Sequence, residues 1–452
     1  MPMLRPWPAT ATGAALAALA ALTLQPRLAA APSALEAEIR ADWAHHLRAR
    51  YEDFHRHPKL GFQETRTAAI MAQELGAIPG MKVTEGVGKT GVVAVLANGA
   101  GPVLLIRADM DGLPLEERSG LPFASRHRQV GPDGVSRPTM HACGHDTHIT
   151  GLFATARRLA AHRDRWAGTV VFVVQPAEEL LTGAPAMLAD GLYTRFPKPA
   201  YALALHVAAG LPTGTISFSD LIQYASSDGA DVIVPGVGAH GACPHMGRDP
   251  ILIGAAIVQA LQSVRSRELS PLEPSVITVG TFTAGSARNI IPDRAELGLT
   301  IRANSEETRA AQIRAVERIA VHVGRAHGLP EDRPVQVIRR SGTPVTANSK
   351  ALADRLRPAL AAELGADRLL PFVQQGMGAE EFAFFIEATH GVKGLYFAVG
   401  GTPQAEIDAA RNGGPLIASH HSPLFRVDGE AAVVTGARAM TAAALELLRK
   451  TP

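Results

Sequence analysis

The stretch Met140-His141-Ala142-Cys143-Gly144-His145-Asp146-Thr147-His148 crowds thiol, imidazole and carboxylate together. These are the side chains that bind transition metals. Cys143 and His145 are two apart, so in an extended segment both would point to one side and reach one ion. Sulfur with imidazole suits zinc, and also manganese, cobalt or nickel if oxygen ligands complete the shell. A histidine-rich loop on a solvated surface is the plainer alternative, so the stretch needs partners elsewhere in the chain.

Such partners exist. Glu178-Glu179 are consecutive carboxylates, and from an extended backbone they point to opposite sides. One can bind an ion while the other faces a substrate. Metal-assisted hydrolysis needs that split. Ligands hold the ion, and a separate carboxylate takes a proton from water whose pKa the metal lowers to about 7. Asp109 and Asp111 could each bind metal or orient a ligand. His206 ends an apolar run, and of His420 and His421 one is idle. His240 and His245 form a second pair, in which a histidine could act as an electrophile on a tetrahedral intermediate. Asn289 and Arg302 are candidates for holding a substrate carboxylate or oxyanion.

The elements that must position these residues read as follows. Helices are predicted over 35–54 and 65–75, and His57-Pro58 breaks the first. Apolar runs at 91–96, 103–106, 169–174, 201–205 and 394–399 read as buried strands, with helices at 149–162, 351–364 and 430–448. Buried strands alternating with helices predict a mostly parallel sheet covered on both faces. In such sheets ligands bind beyond the carboxyl ends of strands. Asp109, Asp111, Glu178, Glu179 and His206 all follow a strand-type run. From about 220 to 339 the pattern becomes β-α-β-β-α-β, a small ferredoxin-like unit, after which the first pattern returns. The predicted division is 35–219 with 340–452 as one α/β domain, and 220–339 inserted in it.

The chain has 452 residues, 46% hydrophobic and 19% charged, with formal net charge +2. That balance gives no nucleic-acid footprint. Arg5, the charge-free run Ala11 to Leu24 and Ala29-Ala30-Ala31 predict a signal peptide over 1–31. Pro32 disfavours a cut at Ala31, which leaves the cleavage point open. Export to the periplasm or beyond, with no stable membrane span after processing, is the expectation. The two cysteines, Cys143 and Cys243, could pair in an oxidising compartment. Cys143 lies inside the ligand cluster, which disfavours that pairing.

Together these stretches resemble the hippurate hydrolase and indole-acetyl-amino-acid hydrolase branch of the aminoacylase–carboxypeptidase G metallopeptidases. The matching motifs are Arg107 to Pro114, Met140 to Asp146, Gln175 to Glu179, Ala204-Leu205-His206, Gly238-Ala239-His240 with Pro244-His245, Ala287 to Asp293, Gly378 to Phe382, and His421-Ser422-Pro423. They span about residues 40 to 448. The resemblance implies two divalent metal ions, zinc or manganese with cobalt or nickel possible, held by Cys143, His145, Glu179, His206 and His421. It implies Glu178 as general base, Asp111 as an orienter behind the ligands, and Asn289 and Arg302 as substrate contacts. The inserted unit would be a lid and dimerisation domain, with a possible homodimer through it and His240 acting across the subunit boundary. Cys243 stands where methionine or tyrosine is expected in relatives. The implied activity is hydrolysis of N-acyl or N-aroyl amino acids, small molecules cut at the amide. A dipeptidase or carboxypeptidase of the same fold is the alternative. A metal-free enzyme using Cys143 as thiol nucleophile and a non-catalytic binding protein are the more distant readings.

Overall fold

The computed structural model describes residues 32–450, so the predicted leader at 1–31 lies outside the described residues. Within them, eight strands form one sheet. From edge to edge these are Met81–Val87, Gly91–Asn98, Gly168–Gln175, Val103–Asp109, Tyr201–Pro212, Lys393–Thr402, Ile216–Ser217 and Leu369–Leu370. The four central strands, from Gly168–Gln175 to Lys393–Thr402, run parallel. Met81–Val87 and Gly91–Asn98 join antiparallel on one side, and Ile216–Ser217 joins antiparallel on the other.

The apolar runs fold this way because both faces of the sheet are covered. Val92, Ala94, Leu104, Ile106, Val170 and Phe172 enter one core, while Val93, Leu105, Val171 and Val173 enter the core on the opposite face. That alternation is the two-residue period of a strand. The first face is covered by helices that include Ala34–Asp42, Thr65–Gly76, His145–Ala161, Lys350–Leu364 and Gly429–Leu447. The second is covered by the shorter Gly183–Ala189 and Phe382–Phe385.

Between Ile216–Ser217 and Leu369–Leu370 the chain builds a separate four-stranded sheet. Its strands are Asp228–Pro235, Ser275–Ala284, Arg294–Ala303 and Gln336–Arg339, with helices Pro250–Ser263 and Glu306–Ala326. The spatial order is second, third, first, fourth, all antiparallel, which is the ferredoxin-like arrangement. Val232, Val234, Ile257, Leu297, Ile301 and Val316 make its own core. Asp249 caps the first helix through Ile251 N–H, with Pro250 in the first helical position.

Three local expectations are corrected. The helix after the cysteine–histidine stretch starts at His145, not at Ile149. Gly144 turns the chain into it with φ 82°, so Cys143 and His145 are not placed by an extended segment. Glu178 and Glu179 lie in a 3-10 turn, Glu178–Leu180, rather than on extended backbone. The strand through His206 continues to Pro212. His206 nonetheless reaches the site: it lies two residues past the last pair with the neighbouring strand, Arg107 with Ala204, and its Nε2 meets Cys143. No helix among the described residues is long and apolar enough to cross a membrane.

Candidate metal centre

The strands Val103–Asp109 and Gly168–Gln175 finish side by side, with Asp109 opposite Gln175. The chemistry gathers at that edge. Cys143 Sγ lies 3.3 Å from His206 Nε2. His421 Nε2 lies 3.2 Å from Glu179 Oε1. Donor atoms of Cys143, His145 and His206 lie within 4.8 Å of one another, as do those of Cys143, Glu179 and His421. Cys143 belongs to both sets. His145, Glu178 and Glu179 form another such group, which puts Glu178 beside the five.

Hydrogen bonds fix which atom of each ring faces inward. His145 Nδ1 lies 2.9 Å from the Asp111 carbonyl oxygen, and His206 Nδ1 lies 2.7 Å from the Val207 carbonyl oxygen. A carbonyl only accepts, so Nδ1 carries a proton in each ring and Nε2 is the atom left to turn toward the cluster. His145 Nε2 and Asp111 Oδ1 are buried without a hydrogen-bond partner, and Glu179 Oε1 has only the charged contact with His421. Buried polar atoms are rarely left so; His145 and Glu179 belong to the converging groups, while Asp111 Oδ1 lies behind the His145 ring, 3.3 Å from its Nδ1. The donor set of one thiol, imidazole nitrogens and a carboxylate fits a divalent cation.

The acidic neighbours divide by the same reasoning. Asp109 spends one oxygen on His148 Nδ1 at 2.6 Å and the other on Arg107 Nη1 at 2.8 Å. His148 Nε2 accepts the Val207 N–H at 2.9 Å. Asp109 and His148 therefore stand behind the cluster, although their atoms approach His145 closely enough to count as a group. Asp111 Oδ2 accepts the Glu179 N–H at 3.0 Å, so it holds one ligand candidate by its main chain and another, His145, by its carbonyl. His420 Nε2 donates to the Val207 carbonyl at 2.9 Å; of the two adjacent histidines, His421 is the one that faces Glu179. The His421 N–H donates to Ala142 O at 2.9 Å, which ties its loop to the cysteine stretch.

A family sequence signature, Peptidase family M20/M25/M40, matches residues 105–446. The chain belongs to that family. It is 38% identical over 304 residues to hippurate hydrolase of Campylobacter jejuni, covering 66% of this chain and 74% of that one. It is 35% identical over 327 residues to N-acetylcysteine deacetylase of Bacillus subtilis, covering 69% and 81%. Among solved structures, a dinuclear metal-binding peptidase of the M20 family from Bacillus subtilis superposes with TM-score 0.72 at 28% identity, covering 90% of this chain and 99% of that one.

Electrostatics in this M20 site follow from its burial. Burial, then Glu380 and Glu179, push the Glu178 carboxyl well above the usual range. Burial works the same way on Glu179, but the bond from His421 and the charge on His145 hold it below. Burial, then Glu179, push the Cys143 thiol well up; a thiolate here needs a cation beside it. Burial pulls His206 well down, which keeps it neutral and free to ligate. Burial acts likewise on His145, but Asp109, Asp111 and Cys143 reverse it, so an arriving cation displaces a proton there.

The structure thus brings Cys143, His145, Glu178, Glu179, His206 and His421 together, with Asp111 directly behind. It does not bring the inserted unit's candidates into contact with them. His240 is exposed and its strand Ala239–His240 pairs with Ile290–Ile291. The Gly241 N–H donates to the carbonyl of exposed Asn289 at 2.8 Å. Half-buried Arg302 donates only to Thr300 Oγ1, at 3.2 Å. Among the described residues these make no hydrogen bond to the cluster. Cys143 and Cys243 are both free, so the disulfide alternative is absent.

Sequence reasoning missed the buried support. Arg107 bonds Asp109, Gln175 Oε1 at 2.7 Å, and Glu380 Oε1 at 2.7 Å. Glu380 Oε2 also accepts from Tyr396 Oη at 2.5 Å. An arginine at a strand's end and a second Glu-Glu pair, Glu380-Glu381, were visible signals. His148 was visible as the residue three after His145, once the helix is known to start at His145.

Proposed function

We infer that this chain is a metal-dependent amidohydrolase that cleaves the amide of N-acyl amino acids, the reaction class named in its hippurate hydrolase and deacetylase relatives. The observation that carries the reading is the division of the cluster. Five donors, Cys143, His145, Glu179, His206 and His421, converge, with His145 Nε2 left without any hydrogen-bond partner, while Glu178 stands beside them as a further carboxylate. The five are proposed as ligands of two divalent ions, with Cys143 common to both sets. Zinc and manganese are the proposed ions, with cobalt and nickel compatible with the same donors.

Bound ions supply Lewis acidity and make a water acidic at neutral pH. Glu178 takes the proton from the attacking water and passes it to the departing amine. Asp111 keeps Glu179 and His145 in place by main-chain bonds. A metal-free thiol mechanism is disfavoured, because burial and two carboxylates push the Cys143 thiol up where a nucleophile needs it down.

The Asp228–Arg339 unit is proposed as lid and dimerisation domain, with Asn289 and Arg302 meeting the substrate carboxylate and His240 acting from a second subunit. Support comes from the edge strand Ser275–Ala284 with exposed Phe282, next to exposed Ile251 and Leu252, a surface suited to pairing. Light scattering tests it: a dimer is expected, and a monomer at assay concentration contradicts it. Export is proposed from the basic and apolar residues before Pro32; intact-mass analysis of the exported protein tests it.

The activity is tested by assaying N-benzoyl and N-acetyl amino acids and dipeptides with zinc, manganese and cobalt. Turnover of the acyl amino acids is expected. Turnover of dipeptides alone would favour the dipeptidase alternative, and no turnover of either would overturn the reading.

A further inference from the structure

Ala177 (φ 49°) and Leu181 (φ 54°) bracket the single turn that carries Glu178 and Glu179. A left-handed backbone costs a residue with a Cβ about 1–2 kcal/mol, so the turn keeps its shape only if its surroundings hold it. Three carboxylates do so through its main chain. Glu64 Oε1 accepts the Ala177 N–H at 2.8 Å, just ahead of Glu178. Asp111 takes the Glu179 N–H in the middle. Glu381 Oε2 accepts the Gly183 and Ala184 N–H groups at 3.0 and 3.1 Å, and Gln175 Nε2 at 2.6 Å. The loop is closed tightly, since a Cβ on Gly183 would lie 1.7 Å from Pro176 O.

Glu64 and Glu381 are themselves anchored. Glu64 is fully buried and accepts Thr90 Oγ1 at 2.6 Å and the N–H of Phe62, another left-handed residue, at 3.0 Å. Glu381 is fully buried, and its own N–H points at Glu178 Oε1 from 3.4 Å. Shifting Glu381 therefore disturbs the base directly as well as through the loop.

We propose that Glu64 and Glu381 are positioning residues, buried acceptors that clamp the loop 175–184 from both ends and so fix where Glu178 presents its carboxylate. The proposal rests on the assignment of Glu178 as base. Neither glutamate is a ligand candidate. Burial lifts the Glu64 carboxyl to about 7 and the Glu381 carboxyl to about 8, so a neutral acceptor of the same shape fits either place.

The test compares Glu64→Ala, Glu381→Ala, Glu64→Gln and Glu381→Gln in the full chain, with metal content measured for each. Hydrogen exchange of the peptide 175–184 reads the clamp without reference to turnover. It is expected to quicken about tenfold or more in the alanine variants and to stay near wild type in the glutamine variants. In the same alanine variants kcat on N-benzoylglycine is expected to fall about 10- to 100-fold, with KM and metal content nearly unchanged. The glutamine variants are expected to recover most of that kcat. Unchanged exchange in folded alanine variants overturns the clamp. Faster exchange with unchanged kcat, or a loss of kcat that follows metal loss, overturns the positioning role. Faster exchange in a chain whose wild type cuts no acyl amino acid sinks the base assignment and leaves the clamp standing. If the alanine variants do not fold, Thr90→Val decides. It strips Glu64 of its hydroxyl donor and is expected to quicken the same exchange; no change overturns the proposal.

Discussion

His55 stands at the back of the metal centre and ties two elements together. It sits on the helix Arg48–Arg56, with Nδ1 2.6 Å from Asp146 Oδ2 and Nε2 2.9 Å from Glu117 Oε1. Asp146 follows His145 in the first turn of the helix that presents it. Burial alone would lower the His55 pKa, but the bonds and charges of Asp146 and Glu117 override it and raise the value to about 9. The ordinary value, which stands for the unfolded chain, is 6.5. A raised folded pKa means that the stabilisation is fully present below the unfolded value and is lost as pH rises through the folded one. The interval of 6.5 to about 9 corresponds to about 3 kcal/mol at 1.36 kcal/mol per unit. Urea unfolding of wild type and His55→Gln, at about pH 6 and about pH 10 with chelator in every sample, measures it. The stability gap between the two proteins is expected to shrink by about 3 kcal/mol at the higher pH. An equal gap at both would refute a charged His55 between two carboxylates.

Three further outcomes are expected. Glu178→Gln should lower kcat on N-benzoylglycine by about 100-fold or more while the fold, read by circular dichroism, is retained. Arg107→Leu removes the buried partner of Asp109 and Glu380 and should cost about 3–5 kcal/mol of stability in denaturant unfolding; a loss under about 1 kcal/mol would contradict the ion-pair account. Gly144→Ala forces a Cβ to φ 82°, 2.4 Å from Val207 Cγ1, and should cost about 2–4 kcal/mol, read by the same unfolding, with weaker metal binding measured by titration.

The parts of the molecule legible in the sequence are those governed by local pattern. Fully apolar runs such as Thr169 to Val174 became central strands because both faces of the sheet are buried. The β-α-β-β-α-β order of the inserted unit was readable from the alternation of apolar strands with the long helices 250–264 and 308–326. What could not be read was decided by distant backbone. The reasoning that put Cys143 and His145 on one side of an extended segment gave the wrong local geometry. Gly144 instead packs against Val207, some sixty residues on, and turns the chain into a helix. The two roles open to Asp109 and Asp111 separated only once hydrogen bonds from Arg107, His148 and the Glu179 main chain were visible. Glu64 and His55 carry no motif at all. Their importance arises from contacts with Ala177 and Asp146, far away in sequence.

The central claim is that five donors hold a pair of ions while Glu178 does not. Metal content per chain of the purified protein, measured by mass spectrometry, tests it most directly when wild type, Cys143→Ala and Glu178→Gln are compared after the same metal loading. The account predicts about two equivalents in wild type and in Glu178→Gln, and less than about one in Cys143→Ala. Two retained equivalents in Cys143→Ala, or metal lost from Glu178→Gln, would contradict it.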